Sequence, residues 1–131
     1  MCSVFTRIIQ GEIPCYKIYE DDKTMAFLDI EPEEIGHTLV VPKVEEDKVY
    51  DLPDEDYRAV MATVKKLAQH YEKVLGKRIM IKIVGIDVPH AHVHLLPVNE
   101  NWAGERNLKP TEEEFRAWQE KLKLEDWSPV V

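Results

Sequence analysis

The sequence predicts one small domain that mixes helices with β-strands, and three observations carry that reading. Tyr16 to Glu20 and Thr24 to Ile30 are β-rich runs flanking the polar turn Asp21-Asp22-Lys23, as in a hairpin. From Pro53 to Leu75 apolar residues recur at steps of three and four, the period of a helix with one buried face. Pro89-His90-Ala91-His92-Val93-His94-Leu95-Leu96-Pro97 places a histidine at every second position, the period of a strand.

Bulk properties bound the possibilities. A chain of 131 residues is long enough to bury a single core and short of two, and 44% hydrophobic against 32% charged residues is an ordinary globular balance. The net charge of -8 argues against a nucleic-acid polymer or an anionic membrane as partner, since both require a basic surface. A small phosphorylated ligand is compatible, because the local field governs its binding. Cys2 and Cys15 form no CxxC motif and no disulfide framework. No apolar stretch reaches signal-peptide or membrane-spanning length, and a reduced, cytoplasmic protein is expected.

Val4 to Gln10 carries Phe5, Ile8 and Ile9 at helical spacing and ends before Gly11 and Pro14, which predicts a short amphipathic helix. The hairpin follows. Gly36-His37-Thr38-Leu39-Val40-Val41-Pro42-Lys43 is a β-rich run closed by proline and reads as a central strand. In the long helix, Asp54, Glu55 and Asp56 occupy the first turn and Gly76 follows the last, both favourable to the helix dipole and cap. Its methionine and aromatic positions belong to the core, and His70 on its flank is structural or solvated. Arg78 to Val84 and Val88 to Val98 predict a second hairpin around a tight turn at Gly85-Ile86-Asp87. A polar loop with Trp102 covers Asn99 to Leu108. Thr111 and Glu114 form a capping-box pattern ahead of Phe115, Trp118 and Leu122. In the tail, Trp127 is expected to pack back on the domain or across a dimer.

The alternating histidines are the chemical centre of this pattern. On a strand, His90, His92 and His94 share one face, with neighbours about 6.5 to 7 Å apart, near enough to act on one ligand and to oppose each other's protonation. Spacing alone leaves two alternatives: a hydrogen-bonded surface row, or a zinc or copper site. Asp29, between Leu28 and Ile30, is either a turn residue ahead of Glu31-Pro32 or a carboxylate that accepts hydrogen bonds from a ligand's pair of hydroxyls. His37, at the start of its strand, is a candidate fourth imidazole.

These residues resemble the histidine triad (HIT) family, whose signature is His-x-His-x-His followed by two apolar residues, here His90 to Leu96. The similarity continues through Phe5 to Pro14, Tyr19 to Ile30 and Gly36 to Lys43. It covers most of residues 4–97, is closest to the Hint-like branch, and leaves 98–131 as a C-terminal extension. The resemblance implies an α+β fold with a five-stranded antiparallel sheet, one long helix, a short N-terminal helix and a C-terminal helix. It also implies a homodimer, and hydrolysis or transfer through a covalent nucleotidyl-histidine. His92 would be the nucleophile at the α-phosphate, with His90, His94 and His37 shaping its surroundings. Asp29 would hold the ribose hydroxyls, and Phe5, Ile8, Ile13, Phe27 and Ile30 would wall the base pocket. The ligand implied is a purine nucleotide such as AMP or an adenylated amine, and neither metal nor other cofactor is required.

The chain departs from that pattern in two places. Polar Gln and Ser positions before the triad read approximately as Ile86 and Asp87, and an Asn position as Ile83, so phosphate and leaving-group contacts differ. Asp87 beside a phosphate repels it unless it points away or pairs with a histidine. Where some bacterial relatives begin a zinc site with CxFC, this chain has Ser3 and Thr6, with Glu45 near the position of a further histidine; no structural zinc is expected. The expected function is a nucleoside phosphoramidate hydrolase. The alternatives are a dinucleoside polyphosphate hydrolase, a nucleotide- or partner-binding module with negligible catalysis, and a metal-binding protein.

Overall fold

A computed structural model of the chain describes residues 3–99 and 108–124. Helix α1 (Val4–Ile9) precedes strands β1 (Lys17–Glu20), β2 (Thr24–Leu28) and β3 (Thr38–Pro42), then helix α2 (Asp54–Leu75), strands β4 (Arg78–Lys82) and β5 (Val93–Val98), and helix α3 (Glu112–Leu122). The five strands form one antiparallel sheet in the order β1-β2-β3-β5-β4, which is the expected α+β architecture with β3 at its centre.

Local chemistry explains these boundaries. Ser3 caps α1 by accepting from the Thr6 N–H, and the Asp21 carboxylate closes the first hairpin by accepting from the N–H groups of Lys23 and Thr24 at 2.9 and 2.7 Å. Helix α2 starts after Pro53 with three acids in its first turn and stops at Gly76, whose φ of 65° is left-handed. Thr111 and Glu114 complete the capping box of α3.

Every residue of β2 and β3 is buried because both faces of the sheet are covered. On one face, Val60, Val64, Leu67 and Tyr71 of α2 and Phe115 and Leu122 of α3 pack on Ala26, Leu28, Val40, Val93 and Leu95. On the other, Phe5 of α1 packs with Met25, Phe27, Leu39 and Val41. Burying these side chains contributes on the order of 2 kcal/mol each. The Tyr71 hydroxyl donates to Thr38 Oγ1 at 2.6 Å, and Thr38 in turn donates to the Gly36 carbonyl at 2.9 Å, so α2 holds the start of β3 in place. His70 Nε2 donates to the Leu122 carbonyl at 3.1 Å, giving that histidine a structural role between α2 and α3.

Two sequence expectations require correction. The histidine strand begins at Val93, so of the three histidines only His94 lies within it. The preceding connection, residues 83–92, is irregular and longer than the tight turn expected at Gly85-Ile86-Asp87. Pro89 has no N–H to offer a ladder, Gly85 takes a φ of 74°, and the N–H groups of His90 and Ala91 donate instead to the carbonyls of Val88 and Glu46. Cys2, Trp102 and Trp127 lie outside the described residues.

Gly36 and Gly76 provide a test of this packing. Both have positive φ, but an added Cβ at Gly76 meets nothing, whereas at Gly36 it lies 3.2 Å from Leu122 and 3.4 Å from Pro97. Gly76→Ala is expected to destabilise by about 1 kcal/mol from backbone strain alone. Gly36→Ala is expected to cost measurably more in urea unfolding; equal losses would show that α3 yields freely at this contact.

Candidate active site

A cavity of about 390 Å³ opens between α1, the segment following β2 and the irregular run before β5. Phe5, Ile8, Ile13, Phe27 and Ile30 line it together with Leu39 and Val88, while Asp29, Asp87, His92 and His94 supply its polar side. Phe5, Phe27 and Leu39 are buried wall positions; Ile30 is 70% exposed and forms the rim. Sequence reasoning missed Leu39 as a wall position, because its place follows from the sheet register that pairs it with Phe27 on one side and His94 on the other.

The four histidines do not form a row. His90 turns away from the cavity: its Nε2–H donates to the Pro42 carbonyl at 2.9 Å, and Nδ1 accepts from the Ser3 hydroxyl at 2.8 Å, with Thr6 Oγ1 at 3.2 Å. Thr6 donates to Glu45, which also accepts from the Ser3 N–H, so Ser3, Thr6, Glu45 and His90 form a hydrogen-bonded cluster at the foot of α1. His37 is buried behind the cavity, 1% exposed. His92 and His94 face the cavity with ring centroids 5.0 Å apart, and Phe5 stands edge-on to His92 at 5.2 Å.

Hydrogen bonding fixes the protons on these rings. The Glu33 backbone N–H donates to His37 Nδ1 at 3.1 Å, so neutral His37 carries its hydrogen on Nε2. That Nε2–H donates to His94 Nδ1 at 2.9 Å, which leaves His94 with its hydrogen on Nε2, toward the cavity. His92 is the opposite case: its Nδ1–H donates to the His90 carbonyl at 2.7 Å, so its Nε2 presents a lone pair. Among the described residues, these two Nε2 atoms are the buried side-chain polar atoms that lack a hydrogen-bond partner. The cavity therefore offers one nucleophilic nitrogen and one N–H donor, on side chains 2% and 5% exposed that both face into it.

Burial is the main cause that lowers the pKa of His37 and of His94 to about 4 each, and it lowers that of His90 as well. All three are neutral at physiological pH. Asp29 acts as the turn residue its sequence context allows, Oδ1 accepting from the Glu31 N–H at 2.9 Å, and its Oδ2 lies 3.6 Å from His37 Nε2 at the cavity edge. Burial pushes its carboxyl above the usual range. Asp87 neither points away nor sits apart; its Oδ1 lies 3.3 Å from His92 Nε2 while the side chain stays 56% exposed.

Two groups have the composition of metal ligands. Asp87, His92 and His94 bring donor atoms within 4.8 Å of one another, as do Asp29, His37 and His94. In the second group His37 and His94 already share a hydrogen bond, and in the first His94 Nε2 must give up its hydrogen before it can ligate. At Ser3 and Thr6 the donors are hydroxyl oxygens engaged with His90 and Glu45, a poor match to the thiolate set of a structural zinc. Glu33 is a contributor that sequence reasoning missed, because it acts through its backbone N–H; its side chain pairs with Lys82 at 2.7 Å.

The sequence matches the HIT domain over residues 10–101. It is 39% identical over 102 residues to an uncharacterised HIT-like protein of Methanocaldococcus jannaschii, covering 74% of this chain and 78% of that one. It is 37% identical over 105 residues to an adenosine 5'-monophosphoramidase of Saccharomyces cerevisiae, covering 77% of this chain and 65% of that protein. A crystal structure of a HIT-like protein from Bartonella henselae superposes with a TM-score of 0.84 at 31% identity, over 92% of this chain and 93% of the other. The chain belongs to the histidine triad family.

The buried neutral histidines make stability depend on pH. Their folded pKa values lie below the unfolded value of about 6.5, so the unfolded state binds more protons between those limits. Stability is thus fully present above pH 6.5 and falls as the pH drops toward 4, by at most about 3 kcal/mol per histidine. Urea unfolding between pH 7.5 and 4 is expected to show this slope, and His37→Gln to flatten it.

Proposed function

We propose that this protein is a nucleotidyl hydrolase that cleaves nucleoside phosphoramidates or adenylated amines through a covalent nucleotide on His92. The observation that carries the reading is the pair of opposite tautomers, a lone pair at His92 Nε2 beside an N–H at His94 Nε2. In the first step the lone pair attacks the α-phosphorus, an Nε2–P bond forms and the bond to the departing amine breaks. The His90 carbonyl, already bonded to Nδ1–H, stabilises the imidazolium character that develops on His92. His94 Nε2–H donates to a non-bridging oxygen, held there by the hydrogen-bond chain through His37. Water then attacks phosphorus and returns the electron pair to Nε2.

Binding follows from the walls. A purine suits the apolar slot of Phe5, Ile8, Ile13, Phe27 and Ile30, and the carboxylate of Asp29 at its edge suits a ribose diol, which offers two donors to one acceptor group. The phosphoramidase name of the yeast relative supports an amine leaving group over a second nucleotide. A dinucleoside polyphosphate hydrolase is the competing enzyme reading, and the products separate the two.

The sheet edges support a homodimer. The outer edge of β1 is engaged by the C-terminal segment, with the Leu124 N–H on the Ile18 carbonyl at 2.8 Å and Gln119 Nε2 on the Lys17 carbonyl at 3.0 Å. At the other edge, Ile81 of β4 and the following Ile83 and Val84 are between 41% and 48% exposed, an apolar run suited to a second copy of the chain.

Incubation with adenosine phosphoramidate is expected to release AMP. His92→Ala should lower the rate by about a thousandfold or more while leaving the urea midpoint close to that of the parent. EDTA is expected to leave turnover intact, and metal-dependent turnover would sink the proposal. For the dimer, Ile81→Lys is expected to shift sedimentation equilibrium from two chains to one; an unchanged mass would place the contact elsewhere.

A further inference from the structure

The reaction proposed above needs a proton for the departing amine, because an amide anion is a very poor leaving group. His94 is not that source. Its cavity-facing hydrogen belongs to a neutral imidazole, so it can donate a hydrogen bond but does not transfer the proton readily. Asp29 is occupied by the Glu31 N–H and faces His37, and Glu33 is paired with Lys82. Asp87 places a carboxyl 3.3 Å from the nitrogen that would bond to phosphorus.

We infer that Asp87 is the general acid and base of this site, delivering a proton to the departing amine and then taking one from the attacking water. This rests on the nucleotidyl-histidine reading. The geometry supports it. Oδ1 of Asp87 lies 3.3 Å from His92 Nε2 without forming an aligned hydrogen bond, so it does not cap the lone pair. Asp87 stands on the irregular connection before β5 with its side chain half exposed, so a side-chain rotation carries the carboxyl from Nε2 to the departing atom, one bond beyond phosphorus.

The balance closes over two steps. In the first, the Nε2–P bond forms, the P–N bond breaks, and the Asp87 proton passes to the departing nitrogen, releasing a neutral amine and leaving a carboxylate. In the second, water oxygen bonds to phosphorus, a water proton passes to Asp87, and the Nε2–P bond breaks with its electron pair returning to His92. The sum is phosphoramidate plus water giving nucleoside monophosphate plus amine, with Asp87 and His92 restored. The Ile86-Asp87 departure from the family pattern thereby becomes a means of protonating a basic leaving group.

Leaving-group dependence tests this. Two substrates are compared in the full-length protein: adenosine phosphoramidate, whose nitrogen must be protonated to depart, and the 4-nitrophenyl ester of AMP, whose phenolate departs without a proton. Asp87→Asn is expected to lower kcat/KM, which reports the step in which the leaving group departs, on the phosphoramidate by about 100-fold, and by at least tenfold more than on the ester; Asp87→Glu should recover part of the difference. Equal losses on both substrates would assign Asp87 a positioning role, and no loss on the phosphoramidate would remove it from the reaction; either overturns the inference and leaves the hydrolase reading standing. Failure of the parent to turn over either substrate, or undiminished turnover by His92→Ala, would overturn both.

Discussion

The site depends on one buried chain of hydrogen bonds, from the Glu33 backbone N–H through His37 to His94. A main-chain N–H cannot act as an acceptor, so its direction is fixed, and each ring in turn is left with only one tautomer that satisfies it. The result is an N–H at the cavity wall beside a bare nitrogen on His92, two neighbouring imidazoles of opposite polarity. Burial enforces the arrangement by holding the rings neutral, since a charge here would lack both water and a counterion of sufficient strength.

The fold exists around that chain in a physical sense. His37 must stand at the start of β3 and His94 inside β5, and these strands are hydrogen-bonded neighbours with Leu39 opposite His94. Tyr71 of α2, bonded to Thr38, and Gly36, pressed against Leu122 and Pro97, fix where β3 begins. On the opposite face α1 supplies the wall through Phe5 and anchors His90 through Ser3 and Thr6. The His90 carbonyl, so anchored, sets the tautomer of His92. Rigid sheet and helix thus hold three of the histidines, while Asp87 lies on the irregular connection before β5.

Much of the fold was legible locally. Helix α2 ends at the glycine its sequence places there, the Asp21 turn closes the first hairpin, and the capping box at Thr111 starts α3, because caps and periodicities act over a few residues. The histidine run was legible as a motif and misleading as a geometry. Strict alternation from His90 to His94 implied one strand face, but proline, a left-handed glycine and the Glu46 carbonyl draw the backbone out of the sheet before Val93.

By itself the sequence determined which residue types were available and where regular structure was favourable: a long amphipathic helix, five strand-like runs, a cluster of imidazoles and an acid displaced into an unusual position. Only the tertiary structure decided what each imidazole does. His37 and His94 are 57 residues apart in the chain and 2.9 Å apart in space, and His90 meets Ser3 across 87 residues. A ring's tautomer is set by the partner it finds, and partners brought together by the packing of α1 and β3 against β5 leave no trace in local spacing. The same holds for Asp87, whose carboxyl stands 3.3 Å from His92 Nε2 in the folded chain.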